Sequence, residues 1–224
     1  MRFDVITLFP PLFSALHFGI IGRALASNQI QCHFWNPRDY SNNIHGYVDD
    51  KPYGGGAGMV MCYQPLADTL STIHEQTPKL TKKVVCLTPH GQTFNQQTIP
   101  ETLDLEQIIL ICGRYDGIDQ RFIDHHVDTC WSLGQFVLSG GEFAACCIID
   151  AITRQIPGVL GNPESLVNES HHEPNFLSHP VYTRPSIIDG HAVPQVLLSG
   201  DHKAIEAWQQ SQQQTTSLDN KDDT

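Results

Sequence analysis

Three short glycine-bearing segments hold most of the residues in this sequence whose types and spacing could do chemistry. They are Pro89-His90-Gly91, Gly113-Arg114-Tyr115-Asp116-Gly117, and Ser132-Leu133-Gly134, which continues to Leu138-Ser139-Gly140-Gly141-Glu142. Glycine lets backbone amides and carbonyls come close to a bound molecule, but it also makes ordinary turns, and for any one segment a turn is an equally good reading. Three such segments in one domain favour recognition of a ligand with polar edges. An adenine ring could be read by loop amides in this way, with Leu87, Leu133 and Leu138 supplying apolar contact. None of the segments reads GxGxxG at the opening of a βα unit. None contains GxxxxGK, and the missing lysine argues against a nucleoside triphosphatase.

Acid–base candidates lie further along. Arg154 lies near the end of a long helical run, where a cation also suits the negative end of the helix dipole. The polar stretch beyond it offers Glu164, Asn168, Glu169 and Ser170 as acceptors or bases, and periodicity does not choose among them. For a lone Glu in such a stretch, solvated surface is the ordinary role. Twelve histidines include the pairs His125-His126 and His171-His172. Adjacent side chains point apart, and there is no HExxH or Cys/His set, so no dedicated metal site is expected. Ser139 is not in a GxSxG elbow.

The elements that would position these loops alternate between strand and helix. Phe3 to Phe9 reads as a strand ended by Pro10-Pro11, and Leu12, Leu16, Ile20 and Ala24 follow at helical spacing. Gln31 to Trp35 is a second strand. Asn36 to Gly58, rich in Asn, Asp, Tyr and Gly, reads as a long structured or ligand-ordered loop. Pro65 to Ile73 reads as helix. Lys83 to Thr88 and Ile108 to Cys112 are continuous apolar runs of the kind found inside parallel sheets, with a short helix in the polar connection between them. Asp128 to Trp131 is a weaker strand. Glu142 to Ile156 is expected as a helix with an apolar stripe of Phe143, Cys147, Ile148, Ala151 and Ile152. Each central strand empties into one of the glycine loops, and the carboxyl edge of a parallel sheet is where α/β domains bind ligands. Residues 161 to 179 read as a linker or lid, and the polar tail after Trp208 as disordered.

A chain of 224 residues can build one good core with room for a small second domain. Thirteen basic against 24 acidic residues give a formal charge of -11, which repels a polyanion at long range while leaving room for a local phosphate site. Seven cysteines without a CxxC pair, mostly among Val, Ile and Leu, read as buried thiols in a reducing compartment. The start Met1-Arg2-Phe3-Asp4 lacks the apolar core of a signal peptide, and no apolar run reaches membrane-spanning length, so a cytoplasmic location without membrane association is expected.

Several motifs, taken in order, carry a resemblance. They are Ile6-Thr7-Leu8-Phe9-Pro10, Asn36-Pro37-Arg38-Asp39, Val48-Asp49-Asp50-Lys51-Pro52-Tyr53-Gly54-Gly55-Gly56, Cys112-Gly113-Arg114-Tyr115-Asp116-Gly117-Ile118-Asp119, Val137-Leu138-Ser139-Gly140-Gly141-Glu142, Ile156-Pro157-Gly158-Val159-Leu160-Gly161 and Tyr182-Thr183-Arg184-Pro185. Through them the chain resembles the bacterial tRNA (guanine-N1)-methyltransferases of the knotted SPOUT superfamily, over roughly residues 1 to 208. The resemblance implies an α/β fold with a parallel sheet flanked by helices and a deep trefoil knot. It divides the chain into a knotted domain at 1–160, a linker and active-site lid at 161–178, and a reduced helical C-terminal region at 179–224.

The resemblance also implies S-adenosylmethionine as methyl donor, with magnesium dependence acting on base, carboxylate or RNA. It implies tRNA as substrate, methylated on the guanosine directly 3′ of the anticodon to guard the reading frame, and a homodimer with composite active sites. The matching cofactor positions are Leu87, Pro89 and Gly91; Gly113, Tyr115, Asp116 and Gly117; and Trp131, Ser132, Leu133, Gly134, Phe136, Leu138, Gly140 and Gly141. Arg154 matches the arginine that acts near the target base, and Glu169 stands where the family has a catalytic Asp.

The chain departs from the family pattern at Glu169, at Gly46-Tyr47 in place of a basic residue and its neighbour, at Gln120 in place of Glu, and near Ser178. Beyond Trp208 it has the polar stretch Ser211 to Thr224 where family members continue into an Arg-rich helical domain. Two readings follow: catalysis on tRNA, or a noncatalytic cofactor-binding or RNA-binding homodimer. A generic phosphate-binding α/β enzyme is disfavoured, because both phosphate fingerprints are absent.

Overall fold

A computed structural model describes residues 1–41, 43–167 and 169–215. The chain divides into two compact units, Met1–Gly161 and Asn162–Thr224.

The first unit is an α/β layer structure. Strands β1 (Arg2–Ile6), β2 (Gln31–Trp35), β5 (Lys82–Thr93), β6 (Gln107–Cys112) and β7 (Thr129–Ser132) form one sheet in the order β2-β1-β6-β5-β7. Every pairing in it is parallel. Between β2 and β5 lie the two-residue strands β3 (Asp49–Asp50), inside the segment expected as loop, and β4 (Val60–Met61), just beyond it, which pair antiparallel. Helices α1 (Gly19–Ala26), α2 (Tyr63–Gln76), α3 (Pro100–Leu103), α4 (Gln120–His126) and α5 (Glu142–Thr153) cover the sheet.

Strand β6 shows why the sheet is buried on both faces. All six of its residues are buried, and the period of two divides them between two cores. Ile108, Leu110 and Cys112 join Phe3, Val5, Val85 and Leu87 beneath α1 and α5. Ile109 and Ile111 join Ile6, Val84 and Cys86 beneath α2 and α4. Each fully buried Ile or Leu contributes about 1.5–3 kcal/mol, so the strands rather than the loops hold the frame. The buried Asp4 locks three strands in register: it pairs with Arg2 at 2.7 Å and accepts from Trp35 Nε1 at 2.8 Å and Gln107 Nε2 at 2.7 Å.

Several sequence expectations need correction. The helix expected from Leu12 to Ala24 is broken into a 3-10 turn, Pro10–His17, and α1, because Phe18 is extended and Gly19 has φ +64°. On α5 the buried face is Ala145, Ile148, Ile149 and Ile152, while Phe143 and Cys147 are exposed; the helix ends at Thr153 rather than Ile156. Cys86 and Cys112 are buried, but Cys32, Cys62, Cys130 and Cys146 are only partly covered.

In the second unit, β8 (Phe176–Leu177) pairs antiparallel with β11 (Gln214–Thr215), and β9 (Ile187–Ile188) with β10 (His191–Ala192). Helices α6 (Gln195–Leu198) and α7 (His202–Gln212) complete it, α7 being capped by Asp201, whose side chain accepts from the amides of Lys203 and Ala204. The rings of His179 and Tyr182 pack on Trp208. The tail expected to be disordered after Trp208 is helical to Gln212, because the cap and this aromatic cluster hold α7. Residues 216–224 lie outside the described residues.

Candidate active site

Strands β5, β6 and β7 end side by side, and the loops that leave them line a cleft of about 650 Å³. That lies within the range of about 300–1,000 Å³ usual for small-molecule sites. The cleft's shape follows from three local features.

The first is a break in register. Leu87 and Gln92 of β5 both pair with Trp131 of β7, so residues 88 to 91 bulge out at the cleft. Gly91 closes the bulge against β7: a Cβ there would lie 2.6 Å from the carbonyl carbon of Cys130 and the nitrogen of Trp131. Only glycine fits.

The second is the loop after β6. Tyr115 has φ +60° and Gly117 φ +135°. The loop is tied to the segment around β4 by the Asp116 amide donating to Met59 O at 2.9 Å and the Met61 amide donating to Gly117 O at 2.9 Å. The Tyr115 phenol is pushed up from its ordinary range by burial and by a hydrogen bond with Asp49, against the opposing effect of Arg38. It is a neutral donor near pH 7.

The third is the end of the loop after β7. The Gly141 amide donates to Gly113 O at 3.0 Å, and a Cβ on Gly141 would meet Cys112 Cα at 2.7 Å. On Gly140 a Cβ would lie 2.2 Å from Arg114 Nε. These close approaches join the second and third loops into one wall.

Arg114 and Glu142 hold that wall together. Glu142 is 1% exposed, at the first turn of α5, where the helix dipole favours a negative charge. Its Oε1 accepts from Arg114 Nε at 3.2 Å and from Thr7 Oγ1 at 3.0 Å. Its Oε2 lies 2.9 Å from Arg114 Nη2, an ionic contact without hydrogen-bond alignment. Arg114 Nη1 donates to Ser139 O at 3.1 Å, and the guanidinium sits 4.5 Å above the Phe9 ring. The Thr7 hydroxyl in turn accepts from the Phe9 amide at 3.0 Å. The side chains of Thr7 and Arg114, 107 residues apart in sequence, therefore converge on one buried carboxylate.

Most of the expected cofactor positions line this cleft: Leu87 and Pro89; Gly113, Tyr115, Asp116 and Gly117; Trp131, Ser132, Leu133, Phe136, Leu138, Gly140 and Gly141. Gly91 and Gly134 do not. Gly91 packs against β7, and Gly134, at φ +152°, makes a turn in which its amide donates to Ser132 Oγ at 3.2 Å and its carbonyl accepts from that hydroxyl at 3.1 Å.

Arg154 is half-buried at the C-terminal cap of α5, its amide donating to Asp150 O at 3.1 Å. Glu169 is half-buried in the second unit, at the entrance to a turn closed by the His171 amide donating to Phe176 O at 2.7 Å. Ser170 is engaged with Ser178, whose amide donates to its hydroxyl at 3.0 Å. Of the other acceptor candidates, Asn168 and the side chain of Glu164 lie outside the described residues. Among the described residues no three His, Cys, Asp or Glu side chains gather as a metal site, and no helix is long and apolar enough to cross a membrane.

Residues 1–224 match the protein family described as tRNA (Guanine-1)-methyltransferase TrmD. The chain belongs to this family. A tRNA (guanine-N(1)-)-methyltransferase of Coxiella burnetii (strain Dugway 5J108-111) is 49% identical over 208 residues, covering 93% of this chain and 84% of that protein. Proteins of the same name from Nitrosococcus oceani and Pseudomonas putida (strain W619) are 48% and 47% identical over 215 and 213 residues, each covering 95% of this chain and 84% of the relative.

Sequence reasoning passed over Thr7, Arg114 and Glu142 as site residues. Part of their signal was there: the acidic residue that opens the apolar helix straight after Gly140-Gly141 suits a cationic partner, and Arg114 is the basic residue of the neighbouring loop, whereas nothing in the sequence marks Thr7.

Proposed function

We propose that this protein methylates N1 of the guanosine immediately 3′ of the anticodon in tRNA, using S-adenosylmethionine. The observation that carries the reading is membership of the tRNA (Guanine-1)-methyltransferase family over residues 1–224. The cleft supports the choice of donor. Its wall is a cradle in which a Cβ on Gly140 or Gly141 would collide with protein, so backbone edges face the space, while Leu87, Leu133 and Leu138 give it an apolar lining. Those features suit a flat heterocycle with polar edges. Residues of the 88–91, 113–117 and 131–141 loops would hold S-adenosylmethionine, which supplies a methyl already activated by its positive sulfur.

Guanine N1 carries a proton and is a poor nucleophile until that proton leaves. Glu169 is assigned as the base that removes it, through a carboxylate oxygen. As the proton departs, charge develops toward O6, and Arg154 is assigned to stabilise it with a charge-assisted hydrogen bond. Arg114 and Glu142 keep the cleft wall in place. No step is assigned to magnesium; among the described residues no three His, Cys, Asp or Glu side chains gather to hold it.

The reading includes the SPOUT trefoil knot at 1–160, a lid at 161–178, a cytoplasmic location and a homodimer with composite sites. Exposed Phe18, Phe136, Val137 and Phe143 on the first unit support an interface with a second copy.

The test is single-turnover methyl transfer at saturating enzyme, to an unmodified transcript bearing G next to the anticodon and to the same transcript with A there. Transfer to the first alone is expected. Equal transfer to both, or cofactor binding with no transfer to any tRNA, refutes the reading.

A further inference from the structure

Two cysteines that the proposed chemistry does not use lie side by side beneath the cleft. Cys86 of β5 and Cys130 of β7 are register partners in adjacent parallel strands, and both face the core under α2 and α4. Neighbouring strands lie about 4.8 Å apart, within the Cα separation of about 4.4–6.8 Å that a disulfide spans. Cys112 on the next strand pairs by register with Leu87 and faces the opposite core, so it does not compete. Cys86 is buried and lines the cleft, while Cys130 is partly exposed.

From this geometry we propose that Cys86 and Cys130 are a redox modification site, closing to a reversible disulfide on reaction with hydrogen peroxide and thereby disabling the cleft above. Cys130 reacts first. Its thiol is pushed down to about 7 by the hydrogen bond it accepts from Cys86, against the opposing effect of burial, so a thiolate is available near neutral pH. Cys86, the donor of that bond and buried, is pushed up and stays protonated until its turn comes.

The Cys130 thiolate attacks a peroxide oxygen, forming a sulfenic acid, and the released hydroxide takes a proton to become water. The Cys86 sulfur then attacks the sulfenic sulfur. The S–S bond forms, and the displaced hydroxide leaves as a second water with the Cys86 proton. Two electrons pass from the two sulfurs to the peroxide.

Closure reaches the cleft through Gly91. A disulfide draws the two Cβ atoms to about 3.8 Å, tightening the strands. The Cys130–Trp131 peptide that must shift is the one against which Gly91 packs with no room for a Cβ. Gly91 ends the bulge of residues 88 to 91, so movement there displaces one wall of the cleft. This consequence rests on the cofactor reading given above; the thiol chemistry does not.

The full chain is treated with hydrogen peroxide, its free thiols are alkylated, and unreduced peptides are weighed, with calorimetric titration of S-adenosylhomocysteine before and after. The expected result is a peptide pair joined through Cys86 and Cys130, lighter by two hydrogens and parted by dithiothreitol, with affinity lowered at least tenfold and restored on reduction. Cys130→Ser should keep its affinity through the same treatment. The proposal is overturned if exposed Cys147 oxidises while Cys86 and Cys130 both remain alkylatable. It is equally overturned if the linked protein binds as before, or if Cys130→Ser loses affinity in parallel with wild type. A reduced protein that binds no S-adenosylhomocysteine refutes the cofactor reading instead, and the linked peptide still decides the thiol chemistry.

Discussion

Replacing Glu142 by Gln removes one charge from the centre of the cleft wall and almost no volume. At the 2.9 Å between Arg114 Nη2 and Glu142 Oε2, the gross attraction is about 6 kcal/mol at an effective dielectric of about 20. Desolvation of both groups offsets much of that. What the substitution exposes is the cost of leaving Arg114 without its counter-ion, about 3–5 kcal/mol for a fully buried pair. The Arg114 side chain is 17% exposed and keeps Ser139 O and the Phe9 ring, which places the expected loss near the lower end, about 3 kcal/mol. For a chain of this length that corresponds to a fall in Tm of roughly 6–12 °C. Thermal unfolding by circular dichroism, with urea midpoints as a second measure, reads it directly. Thr7→Val should cost less, about 1.5–2 kcal/mol, because it removes one hydrogen bond to the carboxylate and leaves the charge pair in place. The double variant should fall short of the sum, since both side chains act on one carboxylate. A Glu142→Gln protein melting within about 2 °C of wild type would refute the clamp, because a pair whose loss costs so little is not holding the wall.

Three further outcomes are expected. Glu169→Gln should abolish single-turnover methyl transfer while leaving S-adenosylhomocysteine affinity within twofold; unchanged turnover would remove Glu169 as the base. Gly141→Ala places a Cβ 2.7 Å from Cys112 Cα and should cost about 1–3 kcal/mol in urea unfolding, whereas Gly161→Ala, in open space, should leave the urea midpoint unchanged; equal effects would contradict the close approach. Asp119 is held below its ordinary value chiefly by hydrogen bonds from the Arg121 side chain, against burial, with a further bond from the Arg121 amide. A depressed folded-state value means its contribution is complete above the unfolded value near pH 4 and is lost as pH falls through the folded one. Asp119→Asn should therefore flatten that part of the acid limb of stability, and an NMR titration of Asp119 at or above 3.8 would contradict it.

The parts of the fold that were legible beforehand are those set by local pattern. Ile108 to Cys112 and Lys83 to Thr88 announce buried strands because four or five apolar residues in a row leave no face for water. The continuation of β5 to Thr93 was not legible, because Gln92 and Thr93 pair with Trp131 and Ser132 some forty residues away. Helix α4 was hidden in the same way: its one fully buried side chain, Phe122, gives too weak a periodicity. On α5 the expected Ile148 and Ile152 are buried but Phe143 and Cys147 are not, and near-continuous hydrophobicity from Phe143 to Ile152 explains why the edge of the stripe is illegible. At the site, the glycine loops pointed to the cleft, whereas the roles of Gly91 and Gly140 depend on the backbone and side chain they touch. Thr7 and Glu142 are 135 residues apart, and no spacing rule joins them.

The place of β1 in the sheet has a consequence for how the chain is made. β1 lies between β2 and β6, so one of its edges is satisfied by residues 31–35 and the other only by residues 107–112. At a synthesis rate of about 5–20 residues per second, that second edge waits roughly 5–20 s for its partner. Throughout that interval Phe3, Val5 and Ile6, all fully buried in the finished protein, present an unpaired apolar strand. An interior strand of the mature sheet is thus the one left open longest on the ribosome, and it is there that a nascent chain would be caught by a chaperone or by another copy of itself.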